Sequence, residues 1–289
     1  MQRIASKSLP SFGWKCSRNK IAPKCITMML VYPLTALVFF IALCVLVMTN
    51  GMDAKEEFFN DESSVSISDL RLSLVSDTWT TDTIPLILHQ LAPREKQKWH
   101  HIWEHCQATW IEKFPNFSYR LWHDEDIDNL INEKFPTFSK IYHGYPRNIH
   151  RFDVVRYFIM YEYGGIYVDM DMECVNNFYD ILPAGKVSVA ESAIPGEMYQ
   201  NALMASPARH PYWHYVLNEI IAYRNVENVL DATGPQVIIR VANIVPPNMF
   251  NGLPSEKFSV DSYPVSDKQF QRSMRTDIYS IHHGSCTHC

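Results

Sequence analysis

The chain has 289 residues, 47% hydrophobic and 13% aromatic, apolar material enough for one sizeable globular domain and hardly enough for two. Six of its 26 basic residues precede position 26 and all 31 acidic residues follow it, so the part beyond sets 20 basic against 31 acidic groups and carries about −11. That balance excludes broad binding of nucleic acid or other polyanions, and any anionic ligand needs a local cation.

Residues 26–48 (ITMMLVYPLTALVFFIALCVLVM) are 23 positions without a charge, enough for a helix to cross a hydrocarbon core of roughly 30 Å. Basic residues precede the run, while Asp53, Glu56, Glu57, Asp61 and Glu62 follow it, so the positive-inside rule predicts a single-pass type II protein. A cleaved secretory signal is the competing reading, but the run exceeds the usual core of about 7–15 residues and no A-x-A site follows. The expected division is a cytosolic tail (1–25), an anchor (26–48), an Asp-, Glu- and Ser-rich stem (49–81) and a lumenal domain (82–289). The sequon Asn116-Phe117-Ser118 suits a secretory compartment, and Cys106, Cys174, Cys286 and Cys289 are compatible with one or two disulfides there.

IPLILHQL (84–91) predicts a strand that starts at a sheet edge with proline. Trp99, Trp103, Cys106, Trp110 and Phe114 then recur at spacings of 4, 3, 4 and 4, the stripe of an amphipathic helix packed on the core. His101 and His105 share a face of that helix, a spacing that suits zinc but lacks a third ligand. SYRLWHD (118–124) reads as a strand, DEDIDNLINEKF as a helix with an acidic first turn, and 149–163 as a longer helix stopped by Gly164-Gly165. Strands are further expected at 186–191, 201–206, 258–263 and 278–283, and helices at 211–224 and from about 235. Strand and helix alternate through the first half, which predicts an α/β sandwich with a largely parallel sheet.

GGIYVDMDMEC (164–174) ends a buried strand in carboxylates at alternate positions. In extended backbone Asp169 and Asp171 point the same way, and two anions so close need a cation between them or a shared proton. A hard divalent ion resolves the conflict, and the carboxyl ends of strands in open α/β sheets are where ligands bind. Alone, D-x-D is as well explained by a solvated turn. The preceding helix adds Asp153 and Arg156 at i, i+3 among Phe152, Val154, Val155, Phe158, Ile159 and Met160. On a surface such a pair is worth under ~1 kcal/mol, but in an apolar helix it calls for a further partner.

Together, D153-x-x-R156-Y and Y-x-x-x-Y-G-G-I-Y-x-D169-x-D171 resemble the sugar-binding region of glycosyltransferase family 32, which includes initiating α-1,6-mannosyltransferases and inositol phosphorylceramide mannosyltransferases. IPLILHQ, the F-P-x-x-x-Y-x-L-W segment through Trp122 and Thr233-Gly234-Pro235 are similar to further landmarks, so the resemblance covers roughly residues 84–285. It implies a GT-A-type nucleotide-diphospho-sugar transferase fold, retention of anomeric configuration, and Mn²⁺ or Mg²⁺ as cofactor. By matching positions, Asp169 and Asp171 would bind the metal and the donor diphosphate, Asp153 and Arg156 the donor sugar, and Gln90, in the loop after the first strand, would lie near the nucleotide. The C-terminal H-H-x-x-x-S-W pattern reads His282-His283-Gly284-Ser285-Cys286 here, without the tryptophan, and His283 is its expected metal contact. The implied partners are a nucleotide sugar, GDP-mannose before UDP-sugars, and a glycan or glycolipid acceptor; the implied location is the Golgi membrane. Two other classes compete. A tethered carbohydrate-binding protein with a Ca²⁺ site would use the same acids, and an aspartyl-phosphate phosphatase would need Thr or Val where Glu173 stands.

Overall fold

The computed structural model describes residues 81–261 and 277–285; the expected tail and anchor, the stem up to residue 80, and Cys286 and Cys289 lie outside them. Among the described residues no helix is long and apolar enough to cross a membrane.

In chain order the strands are β1 (Ile87–Leu91), β2 (Ser118–Trp122), β3 (Gly165–Val168), β4 (Met172–Cys174), β5 (Val187–Glu191), β6 (Tyr199–Ser206), β7 (Phe250–Leu253), β8 (Val260–Asp261) and β9 (Ser280–His282). The helices are α1 (Trp103–Lys113), α2 (Asp124–Lys134), α3 (Pro136–Gly144), α4 (Asn148–Tyr163), α5 (Tyr212–Ala222), α6 (Val229–Ala232), α7 (Pro235–Ala242) and α8 (Ser255–Phe258). One sheet runs β2-β1-β3-β6-β5-β7 and a smaller one β4-β9-β8. β1 is parallel to β2 and β3, and β7 is parallel to β5, but β6 runs against both its neighbours. The expected parallel sheet is therefore mixed. Connection 192–198 between β5 and β6 is too short for a parallel crossover, which takes a dozen or more residues.

The pleat divides the core. Tyr167, Val187, Val189 and Met204 pack with α2, α3, α4, α5 and α7 on one face, while Ile166, Val168, Leu203 and Ala205 pack with Trp110, Phe114, Met172 and Phe258 on the other. Trp103, Cys106, Trp110 and Phe114 are buried as the stripe requires, but Trp99 precedes α1, after a 3-10 turn at Lys96–Lys98, and its indole donates to the Pro93 carbonyl at 2.7 Å. α3 was not foreseen, because Pro136 reads as a stop for α2 and instead opens the next helix at its first position. Asn116 of the sequon is exposed in the turn before β2.

α4 is buried on nearly every side, which marks a central helix rather than a surface one. It ends where expected: Gly164 and Gly165 take φ of 61° and 89°, and a Cβ on either would come within 2.4 Å of the Ala208 nitrogen or the Ile87 carbonyl oxygen. His89 in β1 ties down this corner. The Trp122 indole donates to its Nδ1 at 3.1 Å, which leaves the proton on Nε2 to donate to Gly164 O at 3.0 Å. Burial pushes the His89 pKa down to about 4, so the ring packs neutral.

Candidate active site

β3 delivers the acidic pair to the carboxyl edge of the sheet. Asp169 donates its backbone N–H to Ala202 O of β6 at 2.8 Å, and Met172 N–H donates to Asp169 O at 3.1 Å, closing a tight turn into β4. The two aspartates are thus brought together by a turn, not by the alternation of an extended strand. Both line a cavity of about 1420 Å³ with Asp153, Arg156, Asn201 and His282, where Leu91 of β1 and Trp122 of β2 also end.

Arg156 is the centre of the charge arrangement. Its Nη1 lies 3.0 Å from Asp169 Oδ2 and donates to Asn201 O at 3.1 Å, while its Nη2 lies 3.1 Å from Asp153 Oδ1. The Asp153–Arg156 pair, with side chains 8% and 7% exposed, is no surface ion pair, and Asp169 is the further partner it called for. Burial opposes the charge on Arg156, but the surrounding carboxylates outweigh it and hold the guanidinium protonated well above its ordinary range. Burial likewise pushes Asp153 up to about 6, against the pull of Arg156 and Asn201. Asp169 is also raised, by burial first, with Arg156 opposing. At Asp171 burial also raises the pKa, but contact with His282 and the Ser285 N–H reverses the sign and holds the carboxylate below its ordinary value. The two members of the motif are therefore not equivalent.

Further residues hold these groups still. Asn201 Nδ2 donates to Asp153 Oδ1 and to the Tyr157 hydroxyl, each at 3.0 Å, and Tyr157 donates onward to Thr233 O at 3.0 Å. Tyr167 donates to Asp169 Oδ1 at 2.6 Å, so that both oxygens of Asp169 have donors within the protein. Tyr157 and Tyr167 stood inside the motif without a role, and Asn201 carried no signal beyond being a polar residue at the start of the apolar run ALMA.

The structure relocates two expected residues. Gln90 lies within β1 rather than the loop after it; it is fully buried, and its amide donates to Asp169 O at 3.4 Å while its oxygen accepts from Tyr119 at 2.9 Å. It braces the turn from behind and does not line the cavity. His283 was expected beside the aspartates, but its Nε2 lies 2.9 Å from Glu173 Oε2 on the opposite side of β9. Its neighbour His282 faces the cavity, with Nε2 3.6 Å from Asp171 Oδ1. Strand alternation explains the exchange: a terminal H-H pair sends one ring to each face. Beyond β9, Ser285 N–H donates to Asp171 Oδ2 at 2.8 Å, and the Trp103 indole donates to Ser285 Oγ at 2.9 Å. His105 lies 3.4 Å from Glu173 and the His101 ring lies tilted against His100, so the i, i+4 pair does not converge on one point.

Among the described residues no group of three or more His, Cys, Asp or Glu side chains stands in a geometry that would hold a metal ion. Asp169, Asp171 and His282 line the same cavity and, as two carboxylates and an imidazole, are of the donor kind that a hard or borderline divalent ion such as Mn²⁺ or Mg²⁺ takes.

Residues 100–188, which contain Asp153, Arg156, Asp169 and Asp171, match the family described as glycosyltransferase sugar-binding region containing DXD motif. This is the family that the sequence resembles. Among particular relatives, the chain is 30% identical to inositol phosphoceramide mannosyltransferase 1 of Schizosaccharomyces pombe, over 54% of this chain and 50% of that one. It is 31% identical to mannosyl phosphorylinositol ceramide synthase CSH1 of Saccharomyces cerevisiae, over 54% of this chain and 41% of that one. The chain thus spans half or less of the length of these relatives. Among solved structures, PaToxG glycosyltransferase aligns with 72% of this chain and 81% of that one, at a TM-score of 0.45 and 16% identity.

Proposed function

We propose that the chain is a divalent-metal-dependent, retaining glycosyltransferase on a GT-A-type scaffold that moves a hexose, mannose from GDP-mannose, onto a glycolipid acceptor of the inositol phosphoceramide kind. The observation that carries this reading is the convergence of Asp169, Asp171, His282 and the Asp153–Arg156 pair on one large cavity. The acceptor class and the sugar come from the names of the relatives. Asp171 and His282, with Asp169, would hold the cation, whose positive charge offsets the charge gained by the departing nucleoside diphosphate.

The chain's own residues account for the remaining roles. Asp153, fixed by Arg156 and Asn201, accepts hydrogen bonds from hydroxyls of the donor sugar and orients its anomeric carbon. Pinned by a guanidinium, it is a poor nucleophile, so the reaction proceeds without a covalent sugar–enzyme intermediate and the leaving phosphate takes the acceptor proton. Met170, between the two aspartates, packs with Ala92 and Trp103, and Trp103 lines the cavity wall.

The test is nucleotide release by the full-length chain with Mn²⁺ across GDP-mannose and the common UDP-sugars. Release from GDP-mannose, enhanced by inositol phosphoceramide, is expected; binding of nucleotide without release from any donor would leave a carbohydrate-binding protein instead. We further propose a Golgi membrane location with the catalytic domain lumenal, supported by the apolar run at 26–48 and by the exposed Asn116. Expression in a eukaryotic cell should then give a glycosidase-sensitive mobility shift that Asn116→Gln removes. An unshifted wild-type protein opposes that topology.

A further inference from the structure

Glu173 is the middle residue of β4, with a side chain only 6% exposed. A carboxylate so placed needs partners for both oxygens. It has them on two elements: Oε2 lies 2.9 Å from His283 Nε2 beyond β9, and Oε1 lies 3.4 Å from His105 Nε2 on α1. The two contacts differ in kind, since the His283 side chain is 9% exposed and that of His105 57%.

On the α1 side, β4 is already held without Glu173. The Trp110 indole donates to Met172 O at 2.7 Å, and Cys174 N–H donates to Thr109 Oγ1 at 2.9 Å. β9 is a strand of three residues laddered on both sides, Met172 pairing with His282, Glu173 with Ile281 and Cys174 with Ser280 on β4, and Val260 with Ile281 and Asp261 with His282 on β8, while just beyond it the side chain of His283 is held by Glu173. In that register residue 283 lies diagonal to Glu173 on one face, while His282 faces the cavity and Asp171. The same short segment carries Ser285, whose N–H reaches Asp171.

We propose that Glu173 is a positioning residue for the cation site: by gripping His283 it seats β9 so that His282 and Ser285 close on Asp171, without itself touching cation or substrate. The proposal rests on the transferase reading only in assigning a divalent cation to Asp171 and His282. Groups that orient metal ligands from behind are worth roughly 10- to 100-fold in affinity.

The experiment uses the full chain in detergent and Mn²⁺ alone as probe, with bound ion read from the loss of the free Mn²⁺ paramagnetic resonance signal and thermal midpoints recorded beside it. Glu173→Ala should weaken Mn²⁺ binding about 10-fold. Glu173→Gln should restore it to within about threefold of wild type, because the amide oxygen still accepts the His283 proton. His105→Ala, which removes only the outer contact, should leave binding unchanged. A Glu173→Ala variant that melts earlier yet binds Mn²⁺ like wild type reduces Glu173 to a structural brace and overturns the proposal. Glu173→Gln as weak as Glu173→Ala overturns it too, by making charge rather than grip the active property. Should Glu173→Ala not fold, His283→Ala cuts the same contact from the other side and is read in the same way. Wild-type protein that takes up no Mn²⁺ strikes the metal reading as well, whereas binding that is equal in wild type and Glu173→Ala strikes this proposal alone.

Discussion

Asp171→Asn is expected to lower transfer by on the order of 10³-fold while leaving the fold intact. Asp171 is the member of the acidic pair that the structure keeps ionised: His282 and the Ser285 N–H hold its pKa below the ordinary carboxylate value despite burial. Asp169, unlike Asp171, shares its charge with a guanidinium: Arg156 donates to its Oδ2, and Tyr167 to its Oδ1. A cation therefore depends more on Asp171 for its anionic ligand. The amide keeps an oxygen for the Ser285 N–H, so the turn retains that contact. A depressed pKa contributes stability above the unfolded value near 3.9, and the uncharged variant forfeits that contribution at neutral pH. The thermal midpoint should consequently fall by a few degrees at most, as one modest interaction in a domain of this size allows. Turnover and Mn²⁺ uptake measured beside a melting curve decide the matter. More than a tenth of wild-type activity in a folded Asp171→Asn protein would end the case for a metal at this turn.

What the sequence disclosed about this site, and what it withheld, follows from the range of the interactions involved. The stop of α4 was readable because Gly164 and Gly165 take positive φ, which glycine adopts at no steric cost, a local property. Asp153 and Arg156 were readable because a charged pair set among Phe152, Val154, Val155, Phe158, Ile159 and Met160 calls for a partner. The aspartates were found for a partly wrong reason: the alternation of an extended strand was invoked, yet a turn closed by Met172 N–H on Asp169 O brings them together. The choice between His282 and His283 needed the register of β9 against β4, and no short window contains a pairing between residues 172 and 282. Asn201 reaches Asp153 only because the reversed strand β6 lies beside β3, a consequence of topology rather than of any motif. Gln90 was assigned to the nucleotide by resemblance alone, whereas it lies inside β1 and turns its amide onto the backbone of Asp169.

The second large effect is expected at Arg156→Lys, a substitution that keeps the charge and loses the geometry. The guanidinium spans Asp153 Oδ1 through Nη2 and Asp169 Oδ2 through Nη1, and Nη1 also donates to Asn201 O. An ammonium is a single point that can sit against one carboxylate, which leaves the other buried with a weakened partner. Removing one member of a buried ion pair costs about 3–5 kcal/mol, and the lysine recovers only part of that. Asp153 is the carboxylate most exposed to the loss, since burial already pushes its pKa up to about 6 with the arginine in place. In the variant its pKa should rise further. A carboxylate whose folded pKa stands above the unfolded value near 3.9 stabilises the fold at low pH and loses that contribution as pH rises through the folded pKa. Arg156→Lys should therefore melt well below wild type at pH 8 and regain part of the difference at pH 6, while donor turnover falls at least 10²-fold, because Asp153 is then protonated or displaced when the sugar arrives. A variant with wild-type turnover and a melting deficit that does not change with pH would show that the fork of Arg156, and with it the ordered Asp153, is not what the reaction requires.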